Sequence, residues 1–282
     1  MKYIVAGIIA GCLLGLVHFV EPAGGSLILP EWQGSVDRIE SIEPSPDAGL
    51  LTREPVAVRL DSAIALVAAN GALLRRYDVP EGRLAAMSGN GKFFAEYEKV
   101  GRTVEFCNIE GERFWKLKSL EYPYLSQNGR TVLLMNGDHS AIRVFDYNGN
   151  QAPAGSISGR FCTAIAFAPR SDCAALGFLD GGFHVLNAKG EAVYHGSVPK
   201  GCVVKGMAVS DSGAYCAVHW GGQGRDYVFL VDIARNDVEK LALAEVHLTR
   251  TAMCVNDLEE LAVLDGERLV VTDDDADVRW KL

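Results

Sequence analysis

The chain has 282 residues, 49% of them apolar and 22% charged, which supports a large core and excludes a disordered chain. Its net charge is −9, and no basic stripe offsets this, which argues against nucleic acid as a partner. Thirty glycines and ten prolines, spread along the chain, predict many turns between short elements.

The first element is apolar. Tyr3 to Val20 carries no formal charge unless His18 is protonated. Its eighteen residues would make a helix of roughly 27 Å, near the lower limit for crossing a bilayer. Lys2 and the α-amino group precede it, Glu21 and Glu31 follow it, and the first later basic residue is Arg38. The positive-inside rule then places the N-terminus in the cytoplasm and the rest of the chain outside. Residues 1–20 are thus expected to be a transmembrane signal anchor, its span ending at Tyr3 and Val20. A cleaved secretory signal is one alternative, but the apolar core is long and Val20-Glu21-Pro22-Ala23 is a poor small-x-small site. A lipoprotein is another. Ile9-Ala10-Gly11-Cys12 resembles a lipobox, yet Leu13 to Val17 is not a polar tether. Residues 21–34, broken by Pro22, Gly24, Gly25, Pro30 and Gly34, form a linker.

From residue 35 onward one pattern recurs: an apolar strand, a Ser/Asn/Asp/Gly turn, a second apolar strand, then a third ending in a glycine turn. Leu84–Gly91 leads into Lys92–Tyr97, and Tyr124–Gly129 into Arg130–Met135. Ile165–Asp172 leads into Cys173–Phe178, and Met207–Gly213 into Ala214–Val218. Met253–Glu259 with Glu260–Leu264 is a degraded copy, and Ile42–Gly49 with Pro55–Val58 an early one. Third strands follow at Ile64–Val67, Val104–Cys107, Ile142–Asp146, Phe183–Leu186, Val228–Asp232 and Leu269–Thr272. Four of them end at Gly71, Gly111, Gly149 and Gly190, spaced 40, 38 and 41 apart. Five Asn-Gly pairs predict type I′ hairpin turns, with positive φ at both central residues.

A period near 40 with several short strands is the signature of a β-propeller. A single blade cannot bury both faces, whereas stacked blades cover each other. The motif resembles WD40-like and quinoprotein-like propeller repeats, although it lacks the Gly-His and Trp-Asp signatures. The resemblance implies an all-β propeller over residues 35–282; six periods fit between Val36 and Leu282, so six blades are expected, with seven as the alternative. The stretch Glu239–Thr249 alternates imperfectly and is a candidate helical turn.

No motif for chemistry stands out. The propeller cysteines Cys107, Cys162, Cys173, Cys202, Cys216 and Cys254 show no zinc spacing and read as buried thiols. Cys162 and Cys202, which open successive repeats, are the first choice if a disulfide forms. Asp273–Asp277 lacks the glycine and glutamate of a calcium loop and reads as a solvated turn. Gly221–Gly224 reads as a flexible hairpin loop beside Trp220, a residue that could stack on a ligand. His139 and His184 complete the ligand candidates. No catalytic residue, metal site or cofactor is expected; a quinoprotein dehydrogenase would need an adjacent cysteine pair and a repeated tryptophan docking motif.

The expected function is that of a non-enzymatic, membrane-anchored propeller outside the cytoplasm, periplasmic where two membranes exist. It would act as a protein-interaction scaffold, with another envelope protein as its partner. The alternative is a small-ligand sensor or enzyme with its site at the channel mouth. Five or more polar residues converging there would favour that alternative, and a channel plugged by Ala, Val and Leu the scaffold.

Overall fold

The computed structural model describes residues 56–60, 63–68, 71–98, 102–272 and 278–281, with 23 strands and no helix among them. The apolar segment Tyr3–Val20, the linker, the early strand at Ile42–Gly49 and the acidic turn Asp273–Asp277 lie outside the described residues.

The strands form six antiparallel sheets, each meandering in chain order without crossover. The first contains β1 (Val56–Arg59), β2 (Ala63–Val67) and β3 (Leu73–Asp78). The second contains β4 (Arg83–Met87), β5 (Phe93–Glu98), β6 (Thr103–Asn108) and β7 (Arg113–Lys118). The third contains β8 (Tyr122–Leu125), β9 (Thr131–Met135), β10 (Ala141–Asp146) and β11 (Gln151–Ser158). The fourth contains β12 (Cys162–Phe167), β13 (Ala174–Phe178), β14 (Gly182–Leu186) and β15 (Ala192–Ser197). The fifth contains β16 (Val203–Val209), β17 (Tyr215–Gly222), β18 (Arg225–Asp232) and β19 (Asp237–Ala242). The sixth contains β20 (Met253–Val255), β21 (Leu261–Asp265), β22 (Arg268–Thr272) and β23 (Val278–Lys281).

Consecutive sheets pack face to face. Ile64 meets Phe94 between the first two sheets, and Phe106 meets Leu134 between the next two. Leu133 and Phe178 share the third interface, Phe183, Val204 and Trp220 the fourth, and Val228 and Leu261 the fifth. Strands covered on both faces read as unbroken apolar runs; β9 and β13 are buried at every position. The last strands of the sheets are different. β7 and β19 alternate exposed and half-buried residues, and their Arg113, Lys116, Lys118, Glu239 and Lys240 discourage pairing with other edges.

Three local expectations change. Gly71, Gly111, Gly149 and Gly190 do hold positive φ, from 71° to 86°, but Asn148 does not, so the Asn148-Gly149 turn is not of type I′. At Gly149 the Asp146 carboxylate accepts the amides of Asn148 and Asn150, and the register of β10 with β11 breaks beside the turn. This is a type I turn closed by a left-handed glycine with a bulge, the longer-loop solution for a hairpin. At Asn136-Gly137 the positive φ falls on His139 instead.

A two-residue turn with positive φ at both positions occurs at Gln223-Gly224, 55° and 75°. Gly221 and Gly222, expected in a flexible loop, are paired strand residues opposite Asp226 and Arg225. Glycine is required at 222 by close approach, since a Cβ there would lie 2.5 Å from the Cys202 sulfur. Residues 239–242 continue β19, and residues 243–252 form a loop without helix.

Candidate binding cavity at the inner strands

The first strands of the sheets converge. β4 lies against β8, β12 against β16, and β16 against β20. Between them is a cavity of about 710 Å³, lined along β12 from Cys162 to Phe167. Tyr124, His139 and Phe167 also line a second cavity of about 500 Å³, which reaches Met87, Tyr97 and Tyr122. Six residues of strand span roughly 20 Å, so the paired cavities run along the whole inner strand.

Two features of the lining were not singled out from sequence. The chain has five methionines, and the four beyond Met1 (Met87, Met135, Met207 and Met253) all line these cavities. Six polar side chains join them in the larger cavity: Tyr124, His139, Thr163, Lys205, Arg250 and Thr251. The cavity is therefore open and mixed in character, not plugged by small aliphatic residues.

Most of the charge nearby is committed to the fold. Asp226, buried on β18, accepts two hydrogen bonds from Lys205 Nζ at 2.8 Å, one from His219 Nε2 at 3.0 Å and one from the His247 amide at 3.0 Å. Lys205 also donates to the His247 carbonyl at 2.6 Å. Asp265 accepts the Ala244 and Glu245 amides and His247 Nε2. Burial alone would raise the Asp226 carboxyl, but Lys205, the His247 amide and His219 outweigh it and hold it below the ordinary carboxylate range. His219 is fully buried, and burial pushes it below the usual imidazole range against the pull of Asp226. The Thr251 amide donates to His219 Nδ1, so the neutral ring carries its proton on Nε2. These bonds tie residues 244–251 to the fifth and sixth sheets. Both His–Asp pairs serve the loop.

Arg250 is the exception. It is exposed at the cavity wall and has no acidic or hydrogen-bonding partner among the described residues. Its stem crosses Gly206, where a Cβ would meet Arg250 Cβ at 3.0 Å. Thr251, beside it, is anchored by its amide on His219 and by its hydroxyl on the Leu264 carbonyl.

Of the three ligand candidates from sequence, only His139 reaches the cavity. Its φ of 60° is uncommon for a non-glycine residue, and its ring stacks on Phe161 at 5.6 Å. His184 lies on β14, where Arg160 Nη1 donates to its Nε2 at 2.9 Å and its ring meets His195 at 4.4 Å. Its Nδ1, which then carries the proton, is buried without a partner among the described residues. Burial, then His195 and Arg160, push its pKa down to about 4. Trp220 is buried in the interface of the fourth and fifth sheets, stacked on Tyr227 at 4.5 Å, and faces no open site.

Cys162 and Cys202 are free, as are the other described cysteines, so the first-choice disulfide does not form. Burial raises the Cys162 thiol to about 11, which keeps it protonated and unreactive at neutral pH. Among the described residues no three His, Cys, Asp or Glu side chains gather as a metal-ligand group.

No protein-family model matches this chain, and no curated protein matches it in sequence. Solved structures do match in fold. Hsv2 of Kluyveromyces lactis superposes with a TM-score of 0.61 at 12% identity, over 78% of this chain and 71% of that one. The β-propeller domain of Cps50 (Swd1) from Myceliophteria thermophila gives 0.53 at 12% identity, over 85% of each chain. Kuenenia stuttgartiensis hydrazine synthase gives 0.51 at 15%, over 76% and 71%. At such identities the likeness speaks for the fold alone, and with the six stacked antiparallel sheets it shows a β-propeller fold.

Proposed function

We propose that this chain is a membrane-anchored propeller that works by binding rather than by catalysis. Six blades close into one ring, residues 3–20 hold it to the cytoplasmic membrane, and the propeller stands outside the cytoplasm. Its rim meets another envelope protein, and its central cavity takes a small ligand. The carrying observation is the state of the charged groups. Both His–Asp pairs near the cavity brace the 243–252 loop, while Arg250 remains unspent at an open, methionine-lined wall. That arrangement suits recognition: His139, the imidazole that does line the cavity, is stacked on Phe161 and has no carboxylate hydrogen-bonded to its ring among the described residues to orient it as a catalytic base. Propeller rims are broad and rigid, which suits a scaffold as well.

Topology is tested by fusing reporters after Leu282. An enzyme active only outside the cytoplasm should be active there, and activity of a cytoplasm-only reporter would reverse the orientation. Binding is tested by cross-linking in intact membranes. An envelope protein captured by the wild type and lost when exposed rim residues such as Leu179 or Leu258 are changed to Lys supports the scaffold; loss on neither change contradicts it.

A further inference from the structure

We infer that the central cavity binds a long-chain monocarboxylate, with its headgroup on Arg250 and its alkyl chain along the methionine wall. This rests on the ligand-binding reading above and names the ligand class.

The headgroup follows from charge. Lys205 is neutralised by Asp226 and also held by the His247 carbonyl, so it offers no free charge to a ligand. Arg250 is the lining cation without a partner among the described residues, in a chain of net charge −9. One guanidinium fork matches one carboxylate in bidentate fashion. A phosphate dianion would call for a second cation, which Lys205 cannot supply without breaking its bonds to Asp226. The guanidinium is also well placed, because Gly206 lets its stem lie close to β16 and Thr251 pins the adjacent backbone.

The tail follows from the walls. Met207, Met253, Phe167 and the almost fully buried Met135 line the larger cavity with Arg250, and Met87 lines the continuation. Methionine is unbranched and soft, and it adapts to a flexible apolar guest better than a branched wall does. The larger cavity alone, about 710 Å³, is within the size range of small-ligand sites.

The test uses the full chain in lipid nanodiscs and a photoreactive laurate, with labelled residues mapped by mass spectrometry. Label should fall on the cavity wall, near Met207 and Met253, and unlabelled laurate should compete it away. Arg250→Gln should reduce the labelling about tenfold or more, as expected for loss of a charge-assisted bond, and Arg250→Lys should restore part of it. Ala252→Trp, which places bulk on an exposed lining position, should abolish it. Unchanged melting temperatures would show that these variants fold. Cavity labelling by a photoreactive dodecanol that Arg250→Gln does not alter, without labelling by laurate, would overturn the carboxylate assignment and leave the ligand-binding reading standing. Absence of cavity label from either probe would overturn both. Competition by an apolar peptide with a free C-terminus, but not by laurate, would also overturn the inference.

Discussion

The interfaces between sheets and the central cavity are built from the same repeat and obey different rules. Each interface is filled by apolar side chains that are almost fully buried, such as Phe94, Phe106 and Phe178. The cavity takes a few residues from the second to the sixth sheet and the 243–252 loop, leaves most of them partly exposed while Met135, Cys162 and Thr251 are buried, and mixes methionine with tyrosine, histidine and arginine. The contrast teaches where constraint lies. Interface residues answer to a neighbouring sheet at every repeat, while cavity residues need only agree with whatever occupies the centre.

Substitutions can break or sharpen this contrast. The largest loss should come from an interface: Phe178→Ala is expected to cost about 3–5 kcal/mol in denaturant unfolding, because the packed sheets cannot collapse onto the void. Next comes Gly149→Val. It forces a β-branched residue to a φ of 83° and sets its Cβ 2.8 Å from Trp115, so strain and overpacking of about 1–3 kcal/mol each should both appear. Gly111→Val has the same backbone demand, with nothing within 4 Å of the new Cβ, and should show only the strain.

Asp226→Ala should cost about 1–3 kcal/mol, since it strands the His219 Nε2 proton in a buried site and unpairs Lys205. Acid should act on the same kind of group. His184 is held at about 4, below the usual value near 6.5, so the unfolded chain takes up its proton first. Stability is full above about pH 6.5 and falls as the pH drops toward 4; His184→Gln should flatten part of that slope in pH-dependent melting. The smallest effect should be that of Arg250→Gln, within about 0.5 kcal/mol of the wild type, as for a side chain without a structural partner.

The same contrast explains what could be read from the sequence. The interfaces were legible because their residues recur at a period near 40, and the copies at Leu84, Tyr124, Ile165, Met207 and Met253 each begin or lie within an inner strand of the structure. The left-handed glycines were legible because hairpin turns demand them. The turn type was not, since it depends on the Asp146 side chain capturing two amides. His139 was found through its Gly-Asp-His loop. Arg250 and Lys205 were missed because they do not recur; Lys205 sits in an ordinary strand and Arg250 in the longest connection between two described sheets. Trp220 looked available because glycines follow it. In fact those glycines are paired strand residues, and the indole is packed inside.

The claim that function resides in the cavity is tested most directly by native mass spectrometry of the full chain taken from its own membranes. The wild type should carry a small bound species that both Ala252→Trp and Arg250→Gln lose, while Gly111→Val, which perturbs only a remote turn, retains it. A wild-type spectrum free of bound species, or one shared unchanged by the two cavity variants, would contradict the account.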